Sequence, residues 1–135
     1  MNRSIVLHND TKELPRLMSF VERVCHDLDI GDVMPLQLAL EEVVVNVMHY
    51  AYAPGTIGDI WVSVEHKSDR VVFIVEDEGI AFNPTKAPDV DTSLSAEERS
   101  IGGLGIFIVR QTMDIVRYSR RGERNRLRLT KIINR

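Results

Sequence analysis

Residues 36–52 read LQLALEEVVVNVMHYAY, and the reading of this stretch decides the fold. It is a helix-forming run, apolar on most sides. Among its polar residues, Glu42 and Asn46 stand four positions apart near its middle. A helical turn takes about 3.6 residues, so both side chains fall on one face, one above the other. A carboxylate and a carboxamide on a mostly buried helix need partners, because each lost hydrogen bond costs about 1–3 kcal/mol. Taken alone, the pair favours satisfaction by a backbone loop or a water. The alternative is a hydrophilic ligand site, and the neighbouring segments choose between the two.

Upstream, Leu14, Leu17, Met18, Val21, Val24, Cys25 and Leu28 recur at steps of three and four, which predicts an amphipathic helix ending near Ile30 with Gly31 as its stop. Asn9-Asp10-Thr11 supplies capping chemistry at its start, and residues 3–8 (RSIVLH) read as a first strand. Asp32 and Pro35 start the helix that carries Glu42. Downstream, Ala53-Pro54-Gly55 breaks that helix. Residues 59–67 alternate, with Ile60, Val62 and Val64 on one face and Trp61, Ser63 and Glu65 on the other. Ser68-Asp69 turns the chain into residues 70–75 (RVVFIV), so the two strands form a hairpin. EDEGIAFNP follows. Residues 85–101 then show no periodicity, and a loop of that length in a small domain is usually functional or disordered. Gly102-Gly103-Leu104-Gly105 opens a helix that runs to Asp114. Residues 115–120 and 126–133 read as two last strands joined at Arg121-Gly122-Glu123. The order β-α-α-β-β-loop-α-β-β predicts an α+β fold, a two-layer α/β sandwich with a mostly antiparallel sheet covered on one face by three helices.

A chain of 135 residues suits one domain with one core, expected over residues 1–135. Its net charge of −3 and pI near 5.8 exclude the strongly basic profile of a nucleic-acid binder. Basic residues do gather at 117–128 (RYSRRGERNRLR), where a solvated hairpin of a half-buried sheet is favoured over a phosphate-binding patch. One cysteine, Cys25, permits no intrachain disulfide, which fits a reducing cytoplasm; its place in a helical pattern makes it a small core residue rather than a nucleophile. His8, His26, His49 and His66 lack the paired spacing of zinc ligands. No signal peptide is recognisable, and no apolar run approaches the roughly 18–20 residues that span a bilayer.

The chemistry gathers in three segments: Glu42-x-x-x-Asn46 on a helix, Asp77-x-Gly79-x-Ala81-Phe82 after a strand, and Gly103-x-Gly105 opening a helix. Each alone is weak; together they fit a nucleotide site. A glycine-preceded helix N-terminus offers unpaired N–H groups and a positive dipole end to phosphate oxygens. A buried aspartate at a strand end accepts a hydrogen bond from an adenine amino group, and the glycine beside it lets backbone approach the ring. The Asn46 carboxamide oxygen is a hard ligand for Mg²⁺. Glu42, one turn earlier, reaches toward a terminal phosphate through a water or a substrate hydroxyl.

These segments resemble the N, G1 and G2 boxes of the GHKL (Bergerat-fold) ATPases, in that family's order and approximate spacing. The chain is most similar to the short anti-sigma-factor serine/threonine kinases of bacteria, on LALEEVVVNVMHYAY, VEDEGIAFNP, and IGGLGIFIVRQTMDIVRYSR followed by NRLRLTK. The resemblance implies ATP bound under a lid at about residues 84–101, contacted by Asn46, Asp77, Gly79, Ala81, Phe82, Gly102, Gly103, Leu104 and Gly105. It implies Mg²⁺ on Asn46 and Glu42 as the catalytic base. The partners it implies are a sigma factor and a STAS-domain anti-sigma-factor antagonist, phosphorylated on serine or threonine, with a homodimer as the common assembly and no nucleic-acid or membrane contact. The alternative is a non-catalytic ATP-binding module that switches partners and regulates a phosphatase or sensor. The chain departs from the family at three points, one being that the threonine many members carry on the last strands has no clear match. Tyr50 stands where members often carry His, with His49 one residue earlier, and the nearest arginine before the G2 glycines, Arg99, lies four residues before Gly103.

Overall fold

The computed structural model describes residues 2–86 and 103–133. Its strands are β1 (Asn2–His8), β2 (Asp59–Lys67), β3 (Arg70–Asp77), β4 (Ile115–Arg121) and β5 (Arg124–Ile132). They form one antiparallel sheet in the spatial order β1-β2-β3-β5-β4. Helices α1 (Leu14–Asp27), α2 (Val33–Tyr50) and α3 (Gly103–Thr112) pack on one face of it, as the order of elements predicts. No helix among the described residues is long and apolar enough to cross a membrane.

Alternation decides which face each strand buries. Ile60, Val62 and Val64 of β2 stand opposite Asp77, Val75 and Phe73 of β3, and Val75 and Phe73 stand opposite Leu127 and Leu129 of β5. All of these are buried under the helices. Burying each of the larger apolar side chains contributes about 1.5–3 kcal/mol. α2 meets this layer with Leu36, Ala39, Leu40, Val43, Val44 and Met48, a stripe at three- and four-residue steps. The centre of the sheet is buried on both sides: Val72 and Ile74 point away from the helices yet are 0% and 3% exposed. Their cross-strand neighbours include Glu65 and Arg128, side chains long enough to cover apolar surface with their aliphatic stems.

Several boundaries shift by one to three residues from the sequence reading, and three of the shifts matter most. α1 stops at Asp27, before Gly31. Asp29 takes the left-handed conformation at φ 58, and the Asp29 and Ile30 amides donate to the His26 and Cys25 carbonyls at 3.2 and 2.8 Å. That is a Schellman closure built on an aspartate instead of a glycine. β3 runs two residues past Val75, to Asp77. β5 begins at Arg124, two residues before Arg126, which brings Asn125 into the ladder opposite Asp77.

Candidate functional site

Asp77 closes β3 at 5% exposure, and its carboxylate is committed on one side alone. Oδ1 accepts from the Gly79 amide at 2.9 Å and from Asn125 Nδ2 at 2.9 Å; Oδ2 hydrogen-bonds no described residue. A buried carboxylate is tolerable only when such donors meet it. Asn125 is the piece that sequence reasoning missed. It is 6% exposed, and Nδ2 also donates to the Ile80 carbonyl at 2.8 Å. Its Oδ1 accepts from the Tyr118 hydroxyl, from Arg120 Nη1 at 3.1 Å and from the Phe82 amide at 3.5 Å. Every polar atom of this carboxamide is therefore used. The signal was present in the sequence: Asn125 shares period-two phase with Leu127 and Leu129, the inward residues of the same strand.

The turn after β3 is stitched to the end of α2. The Ile80 amide donates to the Ala51 carbonyl at 2.9 Å. Gly79 lies so close that a Cβ there would sit 2.2 Å from the same carbonyl oxygen, so only glycine fits without displacing backbone. Tyr52 adds a second stitch. Its hydroxyl donates to the Asp59 carbonyl at 2.6 Å and accepts from the Glu78 amide at 2.9 Å. Burial is the largest influence on this phenol and pushes its pKa up.

Between α2, the end of β3, α3 and β5 lies a cavity with mostly apolar walls. Val47, Ile106 and Val109 contribute apolar surface, while Asn46, Asp77, Tyr118 and Asn125 contribute the polar groups. A largely apolar cleft with a few convergent polar atoms is the usual form of a small-molecule site. Tyr50, Ile80, Phe82 and Pro84 also face it.

The residues singled out from sequence divide around this cavity. Asn46, Asp77 and Phe82 line it together. Glu42 is half-buried one turn before Asn46 and is not part of the wall. Gly79 lies behind the wall, where it holds Asp77. Ala81 is exposed and outside it. Gly103, Leu104 and Gly105 form the start of α3, whose Ile106 and Val109 reach the cavity. Gly102 and Arg99 lie outside the described residues, as does the expected lid beyond the short 3-10 turn at Pro84–Lys86.

Among the described residues no group of three His, Cys, Asp or Glu side chains is disposed to hold a metal ion. Magnesium does not need one. It keeps several waters and takes phosphate oxygens, so a single amide oxygen such as that of Asn46 suits an ion that arrives with a nucleotide. A zinc-type cage is not what these donors make.

A family model described as a histidine kinase-like ATPase domain matches residues 7–131. The chain is similar to the serine/threonine-protein kinase BtrW of Bordetella bronchiseptica, with 30% identity over 95 residues, covering 70% of this chain and 67% of that protein. It is also similar to the serine-protein kinase RsbW of Halalkalibacterium halodurans, at 32% identity over 63% of this chain and 54% of that protein. The RsbW of Bacillus subtilis gives 30% over 64% and 56%. The chain thus spans little more than half the length of the RsbW proteins it matches. Among solved structures, the histidine kinase AdeS of Acinetobacter baumannii superposes with a TM-score of 0.53 at 18% identity, covering 98% of this chain and 70% of that one, a likeness of fold.

Proposed function

As the chain belongs to the histidine kinase-like ATPase domain family, we propose that it is an ATP-dependent protein serine/threonine kinase whose substrate is a STAS-type anti-sigma-factor antagonist and which also binds a sigma factor. The observation that carries the reading is the cavity shared by Asn46 and Asp77, with Glu42 one turn from Asn46 on the same helix. Adenine enters the apolar part of the cavity and its amino group donates to Asp77 Oδ2, the oxygen that bonds no described residue. Asn125 and the Gly79 amide hold the carboxylate in place for that bond. The phosphates lie toward the start of α3, whose N-terminal backbone amides and dipole favour them. The Asn46 carboxamide oxygen would hold magnesium, which neutralises charge on the phosphates. Glu42 accepts the proton of a serine or threonine hydroxyl as its oxygen bonds to the γ-phosphorus and the bond to ADP breaks. Transfer of this kind is chiefly positioning and charge stabilisation. A homodimer working in the cytoplasm fits the resemblance to the short anti-sigma kinases.

A second reading, a non-catalytic ATP-binding module that switches partners, draws support from the place of Glu42 outside the cavity wall. Glu42→Ala separates the two. With a purified STAS-domain antagonist and radiolabelled ATP, the variant should keep its ATP affinity and lose about 100-fold or more of the transfer rate. Transfer at the wild-type rate would remove Glu42 as the base; no transfer by the wild type would favour the switching module. Asp77→Asn should weaken ATP binding far more than Glu42→Ala does, and equal affinities by calorimetry would sink the adenine assignment.

A further inference from the structure

The sheet has a second face, which the helices leave open, and its charge is arranged at a cost. On this face Arg117 stands directly opposite Arg128, Arg121 opposite Arg124, and Lys67 opposite Arg70. Like charges opposed across antiparallel strands are destabilising. Some of these cations are partnered. Arg124 lies 4.0 Å over the Trp61 ring and 3.8 and 3.9 Å from Glu76 and Glu78. Arg70 grips Asp69 at 3.0 and 3.2 Å. Lys67, Arg117 and Arg128 pair with no described residue. These three and Arg70 surround a groove of about 250 Å³ with Val72, Ile115 and Thr130 as its other lining. No described carboxylate lines it; Asp69 reaches Arg70 from the turn, and Glu65 flanks Val72 from β2. A chain of net charge −3 has thus set four cations around one groove.

We infer that this groove is a docking surface for an extended, acidic segment of a partner protein. Carboxylates of the segment meet Arg117, Arg128, Lys67 and Arg70, where an arginine fork takes a carboxylate through two hydrogen bonds. An aliphatic side chain between them lies on the half-buried Ile115, because Val72 beneath is 0% exposed. Nucleic acid fits less well, because the groove offers no aromatic ring for stacking and a net negative chain repels a long polyanion. The groove is on the opposite face from the nucleotide cavity, and Arg70 and Asp77 terminate β3 at its two ends, roughly 23 Å apart at about 3.3 Å per residue. A segment held here leaves the cavity open, so the inference does not depend on the kinase reading.

The probe is a dye-labelled nine-residue peptide of alternating glutamate and leucine, followed by fluorescence anisotropy on the full chain. The wild type should bind it at low salt and release it as salt is raised. Arg117→Glu places a carboxylate opposite Arg128, a stabilising cross-strand pair, so this variant should fold at least as well while binding the peptide about fivefold or more weakly. Arg23→Glu on the exposed side of α1 carries the same charge change and should leave binding within about twofold. No binding by the wild type, or equal weakening by the two variants, overturns the inference. So does tighter, Arg117-dependent binding of an eight-nucleotide single strand, or a wild-type oligomer that Arg117→Glu converts to monomer, since the occupant would then be nucleic acid or a second copy.

Discussion

Replacing Asn125 by aspartate changes one atom of the site and turns its central hydrogen bond into a repulsion. Nδ2 of Asn125 donates to Asp77 Oδ1 at 2.9 Å. With a second carboxylate at that distance, two unit charges repel by about 5–6 kcal/mol at an effective dielectric near 20. The pair escapes part of this by keeping one proton, which restores a donor between the two oxygens. Holding that proton costs about 1.4 kcal/mol for each pH unit above the unfolded aspartate value near 3.9, or about 4 kcal/mol at pH 7. Arg120, with Nη1 3.1 Å from Asn125 Oδ1, offsets some of it. The expected loss is about 2–4 kcal/mol at pH 7, shrinking toward zero near pH 4. The sign follows from the shared proton. The folded pKa of the pair is raised, so stability is intact below the unfolded value and is lost as pH rises through the folded one. Urea unfolding of wild type and Asn125→Asp at several pH values between 4.5 and 8 reads this directly. Two curves that run parallel across that range would refute the assignment of Asn125 as the donor that holds Asp77.

Three other perturbations test different links. Asp29→Gly relieves the left-handed residue that closes α1 and should stabilise the fold by about 0.5–1 kcal/mol in chemical denaturation. Gly79→Ala drives a methyl into the Ala51 carbonyl, so it should cost about 1–3 kcal/mol and also disturb Asp77, seen as a lower melting temperature together with weaker ATP binding. Burial pushes the Cys25 thiol up to about 11 from an ordinary value of 9.0. Its folded pKa is raised, so its contribution is whole below about pH 9 and is lost as pH climbs toward 11; at pH 10 the loss is about 1.4 kcal/mol. Cys25→Ala should flatten the fall in stability between pH 8 and 10 by that amount.

The layers of the fold were legible because apolar spacing alone fixes them. The run Leu36, Leu40, Val43, Val44 announces a helix face, and Ile60, Val62, Val64 announces a strand face. What escaped was local. The end of α1 was read from Gly31, but Asp29 takes the left-handed position, and an aspartate there carries no distinct signal. The start of β5 was read from Arg126 because Arg124 and Asn125 resemble turn residues, so the partner of Asp77 was hidden. The burial of Val72 and Ile74 on the open face depends on neighbouring strands supplying long side chains, which no single strand reveals. Asn46 stands out as a polar residue in an apolar run, and Asp77 as an aspartate two residues before a glycine at a strand end; that they share one cavity is a tertiary fact.

The β3–β5 pairing has a consequence for the order of assembly. β2–β3 and β4–β5 are local hairpins closed by short turns, and such hairpins form within about 1–10 μs. β3 and β5 are joined through a long stretch of chain, so their seam closes later, after the larger loss of loop entropy. Asp77 belongs to the first hairpin and Asn125 to the second. The cavity lined by both residues therefore exists only once the slow step is complete. On the proposed function, a nucleotide bound there would act as a rivet across the join, adding stability with its concentration and slowing the parting of the two halves.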